Sequence, residues 1–322
     1  MSTTPAHGRP GHEPYDSGLL EVGDGQTLSW ETVGRPDGLP AVWLHGGPGS
    51  GASTGARRYF DPTAYRAVLL DQRGCGRSRP LASDPAADLT LNTTDHLVDD
   101  LERLREHLGI ERWVVAGVSW GVTLALAYGQ RHPERVLAMV LGAVTTGSRR
   151  EVEWLTRDMG RIFPAEWERF ASLVPEQDRD GDLATAYRRL LADPDPQVRE
   201  GAARAWCAWE DTHVSLAPGW HPDPRYKDPR FRLGFARLVT HYWSHGCFLA
   251  EGQLLSGMGR LASVPGVLIH GRHDISSPPD TAWQLHRAWP GSRLVLLDAG
   301  HGGRGFPEEL TAALDGFSRL PR

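Results

Sequence analysis

The sequence predicts an α/β protein: a mostly parallel sheet with helices on both faces, interrupted by a long helical segment. Three observations carry that prediction. Short apolar runs alternate with helix-period patterns from about Gly18 to Gly142. From about Thr146 to Ala262 the strand-like runs give way to a Trp-rich helical pattern with Pro-rich breaks. After that the alternation resumes to the end of the chain.

Element by element, Leu28–Gly34 (LSWETVG) and Ala41–His45 (AVWLH) read as strands, the second running into a Gly-rich turn. Arg66–Asp71 and Arg112–Gly117 are continuous apolar runs, as expected of strands covered on both faces. Between them Leu97, Leu101, Leu104 and Leu108 recur at helical spacing, with Asp95, Asp99 and Asp100 early and Gly109 as the stop. A second helix is expected from Trp120 to Arg131, ending near His132-Pro133, and Val136–Val144 is the next buried strand. Gly266–Gly271, a helix over Ala282–Trp289, Arg293–Asp298 and a helix over Glu308–Leu320 complete the order. The division is therefore a tail over 1–17, core over 18–145, a helical cap over 146–262 and core again over 263–322. The sheet brackets the helical segment in sequence, which makes that segment a lid on one core.

Composition narrows the function. Among 322 residues, 35 basic against 40 acidic side chains give a net charge of −5, and the basic residues are scattered. Nucleic-acid binding needs a clustered basic face, which is lacking. Cys75, Cys207 and Cys247 are too few and too far apart for a disulfide framework or a zinc site, and fit a reducing cytoplasm. The first residues, MSTTPAHGRPGHEPYD, lack the apolar stretch of a signal peptide, and no apolar run reaches the roughly 18 residues of a membrane span. No cofactor and no metal are expected, and the partner is a small molecule or short peptide.

Gly117-Val118-Ser119-Trp120-Gly121 matches G-x-S-x-G between a buried strand and a helix. That context makes a tight turn lifting the serine above the sheet at a helix N-terminus, where developing negative charge is favoured. A serine hydroxyl needs a base, and the base needs an orienting acid, which in this architecture follow later in the chain, acid first. Asp274 stands just beyond the strand Gly266–Gly271, and His301 follows the strand Arg293–Asp298 in a loop with Gly300, Gly302 and Gly303. The competing histidines are weaker. His270 lies inside a strand as core, His273 is a loop residue, and His241 with His245 lacks a third ligand. The oxyanion donors are expected from the backbone N–H of Trp120 and from the loop His45–Gly51 (HGGPGSG), with Gly47 favoured over Gly46. Gly46 is then placed against substrate. This loop lacks the Lys-Ser/Thr pair of a phosphate cradle, with Ala52 where the lysine would stand.

Taken together these segments resemble the proline iminopeptidase (prolyl aminopeptidase) family of α/β-hydrolases. The matching stretches are HGGPGSG, DQRGCGRS (Asp71–Ser78), Asn92–Gly121, Leu124–Val136, RAWCAWE (Arg204–Glu210), ARLVTHYW (Ala236–Trp243), VPGVLIHGRHD (Val264–Asp274), AWQLHRAWP (Ala282–Pro290) and DAGH. They run in order across nearly the whole chain. The resemblance implies an α/β-hydrolase fold with an inserted cap, and a metal-free serine exopeptidase releasing N-terminal proline, with Ser119, Asp274 and His301 as triad. It also implies two cap glutamates holding the substrate's free amino group. The first falls on Glu210; the second falls on Val239.

One carboxylate fewer removes a charge-assisted hydrogen bond of about 1.5–3 kcal/mol, or roughly 10- to 150-fold in binding. A valine-lined lid would suit an ester, a lactone or another acyl compound without a cationic amine. Val118 also departs from the glycine usual at that place. Trp243 matches an aromatic position facing the proline-ring pocket. Asp71 and Arg73 are expected in loop-holding ion pairs, Trp206 and Trp209 in the cap core, and Cys247 has no assigned role. The readings are thus an aminopeptidase first, a related esterase, amidase or acyltransferase second, and a non-catalytic binding protein third. Oligomeric state and lid motion have no sequence signal.

Overall fold

In the computed structural model, which describes residues 12–216 and 219–320, eight strands form one sheet. They are β1 (Asp16–Glu21), β2 (Thr27–Gly34), β3 (Leu39–Leu44), β4 (Tyr65–Leu70), β5 (Trp113–Val118), β6 (Val136–Gly142), β7 (Gly266–Gly271) and β8 (Ser292–Leu297). Their spatial order is β1-β2-β4-β3-β5-β6-β7-β8. β1 and β2 join antiparallel at one edge, and every pairing from β4 to β8 is parallel. Residues 1–11 of the expected tail lie outside the described residues. β1 starts at Asp16, two residues before the expected start of the core.

The central strands are buried on both faces because successive side chains alternate between two apolar layers. Val42, Leu44 and Val115 enter one layer; Ala41, Trp43, Val114 and Ala116 enter the other. α1 (Thr94–His107), α2 (Trp120–Arg131) and α9 (Pro279–Ala288) cover the first layer, through Leu97, Leu101, Leu124 and Leu285 among others. α10 (Phe306–Phe317) covers the second with Phe306, Leu310 and Leu314. α1 begins at a Thr93 cap whose hydroxyl accepts the His96 N–H, and it ends at Leu108 before Gly109.

Between β6 and β7 lie α3 (Arg149–Thr156), α4 (Pro164–Ser172), α5 (Leu183–Leu190), α6 (Pro196–His213), α7 (Pro229–Ser244) and the short α8 (Gln253–Ser256). They have a separate apolar cluster built on Phe170, Tyr187, Trp206, Trp209 and Val239. The segment is not independent of the sheet domain, however. Leu238, Tyr242, Cys247, Leu254 and Met258 belong to the first core layer. The far face of α7 and the chain after it are therefore packed into the core. No helix among the described residues is long and apolar enough to cross a membrane.

Candidate active site

The C-terminal ends of β3, β5, β7 and β8 lie at one rim of the sheet, and the expected chemistry gathers there. Ser119 is the turn between β5 and α2, with φ of 53° and ψ of −124°, a conformation a non-glycine residue rarely adopts. Its neighbours must be glycine. A Cβ on Gly117 would meet the Gly121 carbonyl oxygen at 2.8 Å, and one on Gly121 would run into the carbonyl of Leu44. The strained turn lifts Oγ to 3.0 Å from His301 Nε2. His301 Nδ1 lies 2.9 Å from Asp274 Oδ2. Oδ1 of Asp274 accepts the Ser277 N–H at 2.9 Å, which fixes the carboxylate.

Burial works against charge on both partners, but each stabilises the other. Burial disfavours an imidazolium at His301. The Asp274 charge and hydrogen bond, with a smaller contribution from Glu210, outweigh it and raise the pKa above the usual histidine value. Burial likewise disfavours the Asp274 carboxylate, yet His301 and His270 hold its pKa below the usual aspartate value. His270 is a fully buried core residue: it accepts the Val144 N–H at Nδ1 and donates to the Ser277 carbonyl from Nε2.

The glycine loop after β3 packs directly on the serine. A Cβ on Gly46 would lie 3.3 Å from Ser119 Cβ, a tight contact that glycine avoids. Gly47 has φ of +114°. Trp120 opens α2, where first-turn N–H groups have no intrahelical acceptor. Gln72 ties the two halves together. It accepts from Trp120 Nε1 at 2.8 Å and donates to the His45 carbonyl at 3.1 Å. Asp71 accepts the N–H groups of Ala52 and Arg77, and Arg73 is paired with Asp100, so these acids and bases hold loops.

A cavity of about 870 Å³ opens over Ser119 and is lined by Gly46, Gly47, Trp120, His301, Glu210 and Trp243, among others. A smaller one of about 560 Å³ shares Ser119 and His301 and runs toward Phe306 and Arg304. Glu210, near the end of α6, accepts from Trp206 Nε1 at 3.0 Å. Trp243 on α7 packs edge-on against the Trp206 ring at 5.6 Å. Trp206 is therefore cap core, as expected, but it also orients Glu210.

Val239 corrects the expectation of a valine-lined lid. It is fully buried within the cap cluster and does not line the cavity, because its side of α7 faces α6 and the other cap helices. His241 and His245 are occupied by backbone carbonyls, of Asn92 and of His241 respectively. Among the described residues no cluster of three metal-ligating side chains forms. The cavity lining also includes residues that the sequence analysis does not single out, His213 and Ser276 among them. His213 stands three positions after Glu210, on the same helix face, and that spacing was the available signal.

A family model for the alpha/beta hydrolase fold matches residues 42–303. A probable proline iminopeptidase of Streptomyces coelicolor is 55% identical over 316 residues, covering 96% of this chain and 97% of its own length. The chain belongs to the proline iminopeptidase family. The proline iminopeptidase of Arabidopsis thaliana is 43% identical over 96% of this chain and 81% of its own, and that of Xylella fastidiosa 45% over 89% and 91%. Among solved structures, a proline iminopeptidase of Mycobacterium smegmatis superposes with a TM-score of 0.59 at 21% identity, covering 94% of this chain and 97% of its own. VinJ superposes at 0.64, also 21% identical, covering 95% and 99%. These two share the fold.

Proposed function

We propose that this protein is a serine exopeptidase that releases N-terminal proline from short peptides. The observation that carries the proposal is a Ser119–His301–Asp274 relay within hydrogen-bonding distance, opening into a cavity that also presents the Glu210 carboxylate. Residues 146–262 act as the cap that supplies this carboxylate. His301 Nε2 takes the proton of Ser119 Oγ as the oxygen attacks the prolyl carbonyl. Asp274 keeps the imidazole oriented and stabilises its cation. The N–H groups of Trp120 and Gly47 receive the oxyanion at the start of α2. His301 then protonates the leaving amine, and water, activated by the same imidazole, releases proline from the acyl-enzyme.

Glu210 sets the specificity, because a free N-terminal amine is cationic and a buried cation needs a carboxylate. Position 239 supplies no second carboxylate, and its valine is buried away from the cavity, so the second reading is hydrolysis of an uncharged ester or amide by the same relay. Turnover of a proline arylamide beside an ester of similar size decides between them. Loss of both activities in Ser119→Ala, by about a million-fold, with an unchanged melting temperature supports the relay; retained hydrolysis overturns it. The buried, unpaired thiols of Cys75, Cys207 and Cys247 support a cytoplasmic protein.

A further inference from the structure

Among the described residues, Glu210 faces the cavity without an arginine or lysine partner. The other acid on the lining, Asp223, is taken by Arg225 at 2.6 Å. Two ring nitrogens flank Glu210 instead. Oε1 accepts from Trp206 Nε1, and Oε2 lies 3.1 Å from Nε2 of His213. His213 is 3% exposed, and its Nδ1 lies 2.9 Å from the hydroxyl of Ser276, two residues beyond Asp274. The chain Ser276–His213–Glu210 thus connects the loop of the relay acid to the cap carboxylate.

The proton positions follow from charge. A lone pair on Nε2 held 3.1 Å from a carboxylate oxygen would be repelled, so Nε2 carries the proton and Nδ1 accepts from Ser276. That N–H is off the line to Oε2, and Nε2 has no hydrogen-bond partner among the described residues. A buried donor left this way is costly, whereas the terminal torsions of His and Glu are soft. A small turn of either group closes the bond.

The geometry points to His213, oriented by Ser276, as the positioning residue of the amine site: it fixes Glu210 so that one carboxylate suffices to select a cationic N-terminus. With Trp206 on one oxygen and His213 on the other, the carboxylate cannot swivel, and its remaining lone pairs are held toward the cavity. This assignment rests on the exopeptidase reading, since it requires Glu210 to meet the substrate's amine.

The test compares a cationic with an uncharged substrate built on the same five-membered ring: proline p-nitroanilide, and the p-nitrophenyl ester of cyclopentanecarboxylic acid, each variant being measured against the wild-type protein on the same substrate. In His213→Leu, KM for the anilide rises about 5- to 10-fold, the loss of one hydrogen bond, while the ester's KM does not follow. The change falls in KM and not in kcat. His213→Gln, which restores an N–H donor, recovers the anilide KM. Ser276→Ala, which removes a hydroxyl with little change of volume, gives a smaller rise of the same kind and serves if the leucine variant fails to fold. Equal changes for both substrates, no change for either, or no recovery with glutamine overturn the role of His213 and leave the exopeptidase reading intact. No anilide turnover by the wild-type protein, with ester turnover retained, overturns both.

Discussion

Asp274 is fully buried and His301 keeps one edge open, and the two meet at 2.9 Å through Oδ2 and Nδ1. That asymmetry puts the fixed charge inside and the mobile proton at the cavity, where the reaction needs it. It also sets how the protein responds to pH.

The base must be neutral to accept the serine proton, so kcat/KM falls on the acid side as pH drops through the raised pKa of His301. Asp274→Asn removes the charge that raises it. Burial then dominates, so the acid limb moves to lower pH while kcat falls by about four orders of magnitude. A pH–rate profile of the two proteins measures both. An acid limb that stays in place would show that Asp274 does not set the protonation of His301.

Replacing Gly121 with Ala forces a methyl group into the Leu44 carbonyl where β3 crosses the start of α2. Overpacking of this kind costs about 1–3 kcal/mol. Urea denaturation is expected to show a lower midpoint with an unchanged slope, together with lost activity as the turn at Ser119 shifts.

The Arg73–Asp100 pair is sealed from water, with both side chains essentially unexposed and two bonds between guanidinium and carboxylate at 2.6 and 2.7 Å. Burial still pushes the Asp100 carboxyl above its usual pKa, against the opposing pull of Arg73. Arg73→Ala leaves that acid buried alone and is expected to destabilise the fold by about 3–5 kcal/mol. Equilibrium unfolding of the variant reads this directly, and a loss under 1 kcal/mol would contradict the buried-pair account.

Trp206→Phe keeps an aromatic ring against Trp243, Phe170 and Tyr187 but deletes the N–H that Glu210 accepts. KM for a proline arylamide should rise by roughly 10-fold or more, from one hydrogen bond to a charged acceptor. The KM of an uncharged ester should not. Parallel kinetics on the two substrates separate lost orientation of Glu210 from general loosening of the cap.

Much of this molecule was legible along the chain. Buried parallel strands show as unbroken apolar runs, so β4, β5, β6 and β7 stood out, and the G-x-S-x-G turn named α2 from its first residue to its last. Ser119, Asp274 and His301 could be selected because a parallel sheet forces the loops after its strands to one rim. β1 was missed: an edge strand with alternating exposure, DSGLLE, carries only a weak period-two signal.

What the chain order could not decide was which face each cap residue turns. Val239 sits where the resemblance implies a glutamate, yet α7 directs it into the cap cluster, so its side chain never reaches the cavity. His213 and Ser276, 63 positions apart, become neighbours only when the end of α6 descends over the loop after β7. Local periodicity determines which residues are strand, helix or turn. Contacts between distant segments depend on how helices are docked, and that is set by the summed packing of many side chains that no short stretch encodes.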